Sequence, residues 1–178
     1  MSGRFVFVLG GTRSGKSRFG LARAKELSNG GPVAFLGTAR HGDPELDERI
    51  RRHRLERPPD WATIDVGVDL ATSIRDAGDS TTVLLDGLTL WLSLVAGDAP
   101  AEIDALLDGP VAAALSVIEA RGGATVVVSD EIGLGMVPLD AVSRAFRDLQ
   151  GIAHQRFAAR ADEVHLLVAG LPTALRNR

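Results

Sequence analysis

The sequence predicts an α/β fold with a mostly parallel central sheet flanked by helices, on three observations. Short apolar runs recur along the chain, longer segments of helical character separate them, and most runs end in a glycine or an acidic residue. Uninterrupted apolar runs suit strands buried on both faces. Their alternation with helices suits βαβ units, and polar strand ends suit a ligand site at the carboxyl edge of such a sheet.

Phe5–Leu9 is the first strand and stops at Gly10-Gly11. Ser14 to Ser28 has helical character and is ended by Asn29-Gly30-Gly31-Pro32. Val33–Leu36 forms the next strand and runs into Gly37-Thr38-Ala39-Arg40. Asp43 to Arg57 predicts a charged helix with Glu45, Asp47 and Glu48 in its first turns and Arg51, Arg52, Arg54 and Arg57 at its end, an order that complements the helix dipole. Pro58-Pro59 closes it. Trp61–Val66 predicts a short strand and Asp69–Ala77 a helix, followed by a strand over Thr81–Leu85 that delivers Asp86-Gly87. Leu88–Val95 and Ala101–Ala120 predict apolar helices separated by Gly97-Asp98-Ala99-Pro100. Thr125–Val128 is a further buried strand and runs into Ser129-Asp130-Glu131, with a loop over Gly133–Pro138. A long helix follows with Val142, Phe146, Leu149, Ala153 and Phe157 as its apolar stripe, and Val164–Val168 is expected to be the last strand.

The 178 residues suit a single domain, spanning 1–178, with no internal repeat or domain-sized linker. A net charge of −3 argues against a nucleic-acid binder that works by bulk electrostatics. The absence of cysteine excludes disulfides, thiolate metal sites and cysteine nucleophiles. No stretch reaches the ~18 apolar residues of a membrane span, and the N-terminal apolar run is too short for a signal peptide. The expectation is a soluble cytoplasmic protein.

Gly10-Gly11-Thr12-Arg13-Ser14-Gly15-Lys16-Ser17 matches G-x-x-x-x-G-K-[ST] between a predicted strand and a predicted helix, the context that gives this pattern its meaning. The glycines let the backbone turn its N–H groups inward, where they and the helix N-terminus cradle phosphate oxygens. Lys16 then serves the β and γ phosphates and Ser17 ligates Mg²⁺. The expected fold is therefore P-loop NTPase-like, with GTP or ATP as substrate. Asp86, at the end of a buried strand, is the favoured acid on the metal side; Asp130 and Glu131 form a second candidate.

His53 stands among five arginines, Arg49, Arg51, Arg52, Arg54 and Arg57. Their positive field favours neutral imidazole, which can attack phosphorus, and the guanidiniums could hold a triphosphate. The residue pattern alone fits a solvated helix face better. His41, His154 and His165 lack such company and are expected to be surface or packing residues.

With these blocks in view, the chain resembles the bifunctional adenosylcobinamide kinase/adenosylcobinamide-phosphate guanylyltransferase family along nearly its whole length. The resemblance rests on Gly10–Ser17, on Arg49-Ile50 with His53-Arg54, Arg57-Pro58 and Trp61, on Asp86–Leu92, and on Glu131–Pro138 with Arg144, Phe146-Arg147-Asp148 and Gly151. It implies phosphorylation of adenosylcobinamide and transfer of GMP from GTP to the resulting phosphate, through GMP bound covalently to a histidine, here His53. It further implies nucleotide contacts from Gly10–Ser17, Gly37, Thr38, Ala39, Arg54, Leu55, Glu56, Arg57, Asp65 and Asp86, and a homotrimer. Asp130 and His154 depart from the asparagines the family tends to carry, on the expected acceptor side. A monofunctional guanylyltransferase and a simple P-loop small-molecule kinase are the alternatives.

Overall fold

The computed structural model describes residues 3–38, 48, 51, 54, 57–97 and 103–178. Its strands are β1 (Phe5–Gly10), β2 (Val33–Gly37), β3 (Ala62–Asp65), β4 (Thr82–Asp86), β5 (Thr125–Asp130), β6 (Glu163–Val168) and β7 (Leu171–Asn177). They form one seven-stranded sheet in the order β3-β2-β4-β5-β1-β6-β7. All neighbours are parallel except β7, which returns antiparallel to β6. The helices are α1 (Lys16–Ser28), α2 (Leu70–Asp76), α3 (Leu88–Ala96), α4 (Ile103–Leu106), α5 (Ala112–Ala120) and α6 (Ala141–Arg160). The mostly parallel α/β fold expected from the sequence is what the chain adopts.

The apolar runs become strands because both of their faces are covered. In β1, Phe5, Phe7 and Leu9 pack into the core beneath α2, α3, α5 and α6, whereas Val6 and Val8 pack on the opposite face with Ala24 of α1. Gly20 allows α1 to lie close on that second face, since a Cβ there would sit 2.6 Å from Val128 Cγ2. Helix starts follow their caps: Asp69 accepts from Thr72 N–H at 3.0 Å and Asp140 from Ser143 N–H at 2.7 Å.

The structure differs from the sequence expectation in four places. Helix α1 begins at Lys16, because Ser14 and Gly15 belong to the loop before it. The segment expected as one helix to Ala120 widens over Leu107–Val111, a turn that accommodates Pro110 and its missing N–H. Val142 is half exposed rather than part of the buried stripe. And β6 is not the last strand. Strand β7 lacks an apolar run and carries Pro172, features tolerated on a sheet edge. A tight turn through Ala169 and Gly170, both in the left-handed region at φ 53° and 81°, folds it back on β6.

Glu163 ties the sheet to α1. Its carboxylate accepts from Arg4 Nε at 2.5 Å, from Arg23 Nε at 3.2 Å and from His165 Nε2 at 3.0 Å. Burial alone would push the Glu163 pKa up, but the hydrogen bonds from Arg23, His165 and Arg4 outweigh it and hold the pKa at about 2. A depressed carboxylate contributes stability that is complete above its unfolded pKa and is lost as pH falls toward the folded one. Glu163→Gln is therefore expected to cost on the order of 2–3 kcal/mol at neutral pH. It should also flatten the loss of stability between the ordinary 4.5 and about 2. Urea denaturation at neutral and acid pH measures both; an unaltered acid slope would contradict the assignment.

Candidate active site

Parallel register brings the polar strand ends into one row. Gly10 lies opposite Asp130, and Gly37 lies opposite both Asp65 and Asp86. The chain leaves β1 toward β2 on one side of the sheet order, whereas β5 connects through α6 to β6 on the other. A reversal of this kind opens a crevice at the carboxyl edge, and the glycine-rich loop sits at it.

Between Gly10 and α1 the backbone turns through Arg13 at φ 57° and Gly15 at φ 92°. Left-handed residues in such a loop gather N–H groups into an anion-binding concavity, to which the start of α1 adds its dipole. Gly15 has no room for a side chain either, with Gly170 Cα 3.2 Å from a Cβ placed there. The β6–β7 turn braces the loop from behind: Gly170 N–H donates to Ser14 O at 2.8 Å. Sequence reasoning missed this support, whose signal was Gly170-Leu171-Pro172 after an apolar run.

Lys16 is buried. Its ammonium donates to Gly11 O at 3.3 Å and pairs with Asp130 Oδ1 at 2.6 Å. Ser17 Oγ donates to Asp86 Oδ1 at 3.3 Å. The two acids considered from sequence thus divide: Asp86 stands with the hydroxyl and Asp130 with the ammonium. One hydroxyl beside one carboxylate suits a small hard cation that keeps water and takes phosphate oxygens. Among the described residues no three His, Asp or Glu side chains gather into an all-protein cage.

Around the rest of the edge, Thr38 is buried and its hydroxyl donates to Gly87 O at 3.0 Å, which holds the turn between β4 and α3. Arg57 lays its guanidinium 3.8 Å over the Phe35 ring and donates to Thr63 Oγ1 at 3.3 Å. Burial and then nearby Arg54 lower its pKa, opposed by Asp86 and Asp65. Asp65 is exposed at the end of β3, Thr12 and Arg13 are exposed on the loop, and Arg54 is exposed and helical. Ala39, His53, Leu55 and Glu56 lie outside the described residues, as does most of the helix expected over Asp43 to Arg57.

His154 is neither a surface residue nor simple packing. It is buried, with Nε2 2.8 Å from Ser129 Oγ and Nδ1 3.7 Å from Glu131 Oε2. Burial lowers its pKa, partly opposed by Glu131, so the neutral ring is favoured. Thr89 and Gln150 complete this polar cluster under the end of β5.

If Lys16 serves a polyphosphate, as the sequence leads one to expect, Asp130 competes with it for the ammonium. Asp130→Asn is therefore expected to tighten nucleotide binding by about 1 kcal/mol, roughly fivefold in Kd. Calorimetric titration measures it. Weaker binding in the presence of Mg²⁺ would instead move the metal-side acid from Asp86 to Asp130.

A model of the family "Cobinamide kinase / cobinamide phosphate guanyltransferase" matches residues 6–175. The "Bifunctional adenosylcobalamin biosynthesis protein CobP" of Pseudomonas aeruginosa is 41% identical over 172 residues, 96% of each chain. The "Bifunctional adenosylcobalamin biosynthesis protein CobU" of Salmonella typhimurium is 32% identical over 183 residues, covering 96% of this chain and 99% of that one. Among solved structures, the flagellar accessory protein FlaH of Methanocaldococcus jannaschii superposes with a TM-score of 0.55 at 11% identity, over 99% of this chain and 80% of that one. The KaiC-like protein PH0186 of Pyrococcus horikoshii gives 0.54 at 14% identity, over 93% and 71%. These two likenesses concern the P-loop NTPase-like fold alone.

Proposed function

This chain belongs to the cobinamide kinase / cobinamide phosphate guanyltransferase family, and from that premise we propose how its residues divide the work. It is a transferase of adenosylcobalamin biosynthesis, a bifunctional kinase and guanylyltransferase. The observation that carries the residue assignment is the loop Gly10–Ser17 at the carboxyl edge, with Lys16 buried beneath it and Ser17 Oγ 3.3 Å from Asp86 Oδ1.

The loop amides and Lys16 bind the phosphates of GTP or ATP, and Ser17 and Asp86 hold Mg²⁺ with the nucleotide. When bound, Mg²⁺ offsets phosphate charge. Gly37 and Thr38 lie at the same edge, and Ala39, Arg54, Leu55, Glu56, Arg57 and Asp65 are the remaining nucleotide contacts of this reading. Thr38 contributes through its backbone, its hydroxyl being engaged by Gly87.

In the kinase step the acceptor hydroxyl of adenosylcobinamide bonds to the γ phosphorus and the nucleoside diphosphate leaves. In the guanylyl step a neutral His53 nitrogen bonds to the α phosphorus of GTP and the bond to the bridging oxygen breaks, releasing pyrophosphate. An oxygen of adenosylcobinamide phosphate then displaces the imidazole, giving adenosylcobinamide-GDP and restoring His53. Splitting the transfer lowers each barrier. The acceptor is a small molecule rather than nucleic acid, in line with the net charge of −3. No helix among the described residues is long and apolar enough to cross a membrane. A single catalytic domain over 1–178, a cytoplasmic location and a homotrimer complete the reading.

The test incubates the protein with adenosylcobinamide and either ATP or GTP and identifies the corrinoid products by mass. Adenosylcobinamide phosphate followed, with GTP, by adenosylcobinamide-GDP is expected. Phosphorylation without any GMP adduct would favour the simple kinase. An adduct formed only from supplied phosphate would favour the monofunctional guanylyltransferase.

A further inference from the structure

The kinase step needs a group to take the proton of the acceptor hydroxyl, and the carboxylates at the sheet edge differ in what they face. Asp86 stands beside Ser17 and Asp130 is paired with Lys16, both turned toward the phosphate side. Glu131 is the next residue along. Its N–H donates to Gly10 O at 3.0 Å, which fixes its backbone against the end of β1 and the start of the phosphate loop. Its Oε1 accepts from Gly133 N–H at 2.5 Å, and its Oε2 faces His154 Nδ1 at 3.7 Å.

The hydrogens of the cluster below can be placed by elimination. Thr89 Oγ1 accepts from Asp130 N–H at 3.0 Å and from the Gln150 amide at 3.0 Å, so its own hydrogen points to Ser129 Oγ, 3.1 Å away. The Gln150 amide nitrogen also donates to Asp130 O, which fixes the direction of that side chain. Ser129 then donates to His154 Nε2 at 2.8 Å. The ring hydrogen is therefore assigned to Nδ1, the nitrogen that faces Glu131 Oε2 across 3.7 Å, beyond hydrogen-bond distance.

Glu131 also opens a loop that offers an acceptor surface. Leu134, Met136, Val137 and Leu139 are exposed, and Arg147 pins the Gly133 and Met136 carbonyls while Arg144 holds those of Pro138 and Leu139. A groove of about 360 Å³ lies alongside, lined by Ile132, Pro138, Val142 and Phe146. A wide macrocycle with apolar edges and a hydroxyl-bearing arm suits this face better than a compact polar acceptor does.

We propose that Glu131 is the general base of phosphoryl transfer to the acceptor hydroxyl, and that His154 is a positioning residue whose Nδ1, 3.7 Å from Oε2, packs against the Glu131 carboxylate and keeps it in place. The inference rests on the kinase half of the function proposed above. As the hydroxyl oxygen bonds to the γ phosphorus, the O–H proton passes to Glu131 Oε2 and the γ phosphorus–oxygen bond to the departing diphosphate breaks. Guanylyl transfer uses an already ionised phosphate as acceptor and does not need this base.

The experiment measures both half-reactions on the full chain, with adenosylcobinamide for phosphorylation and adenosylcobinamide phosphate for guanylylation. Glu131→Gln is expected to lower the kinase kcat roughly 100-fold, with the KM for nucleotide within about twofold and guanylyl transfer retained. Glu131→Asp should recover part of the rate. His154→Asn should lower the kinase kcat roughly tenfold while guanylyl transfer, which also reports folding, is kept. A Glu131→Gln enzyme with normal kinase turnover, or with both activities lost alike, overturns the base. Equal loss of both activities in His154→Asn, or of neither, overturns the positioning role. A wild-type protein that guanylylates but never phosphorylates fails the kinase half of the functional reading, and this inference falls with it.

Discussion

His53→Ala is expected to abolish guanylyl transfer, by about 10³-fold or more, while leaving phosphorylation of adenosylcobinamide within a few-fold of wild type. The asymmetry follows from the proposed chemistry, in which only the second reaction passes through a phosphorus–nitrogen bond to the protein. Incubation with α-labelled GTP should give acid-labile protein label in the wild type and none in the variant. The other imidazoles sharpen the assignment. His154 is buried with both ring nitrogens directed at Ser129, Gln150 and Glu131. His165 donates to Glu163 at 3.0 Å and packs 5.0 Å from the Phe19 ring. His154 Nε2 and His165 Nε2 are thus engaged by Ser129 and Glu163. Label that persists in His53→Ala would move the covalent step to another residue, and His41 would be the first to test.

The sheet and the glycine-rich loop at its carboxyl edge were legible because their signals are local. Buried parallel strands write themselves as apolar runs, as Phe5–Leu9 and Val83–Leu85 do, and the phosphate loop needs glycine where no side chain fits. Strand β7 was not legible, because an exposed edge strand carrying Pro172 has no such run to betray it. The brace from Gly170 to Ser14 was hidden for a related reason: it is a backbone contact between residues far apart in the chain, and sequence spacing does not encode it. His154 was misjudged because a histidine's role depends on what surrounds it. Ser129, Thr89 and Gln150 come to it from β5, α3 and α6, and only the packed fold brings them together. The partition of the acids was likewise out of reach. Two strand-end carboxylates look alike in sequence, yet register sets Asp130 opposite Gly10 and Asp86 opposite Gly37.

Lys16→Ala is expected to remove both activities, each by about 10³-fold or more in kcat/KM, since in the proposed site both reactions stabilise charge developing on the same polyphosphate. Lys16→Arg should fare little better. The ammonium fits a buried site between Gly11 O at 3.3 Å and Asp130 Oδ1 at 2.6 Å, where a planar guanidinium has different reach and shape. The Asp130 pairing makes a sharper prediction available. In Lys16→Ala the Asp130 carboxylate stays beside the loop without its ammonium, so nucleotide binding should weaken by more than the lost phosphate contact alone accounts for. Lys16→Ala combined with Asp130→Asn should then recover part of the binding and none of the turnover, because the double variant removes the repulsion but restores no cation. Binding by calorimetry and turnover by product mass separate the two quantities. Additive losses would mean that the acid and the lysine act independently once nucleotide is bound. A Lys16→Ala enzyme with either activity within tenfold of wild type would remove the phosphate loop from that reaction.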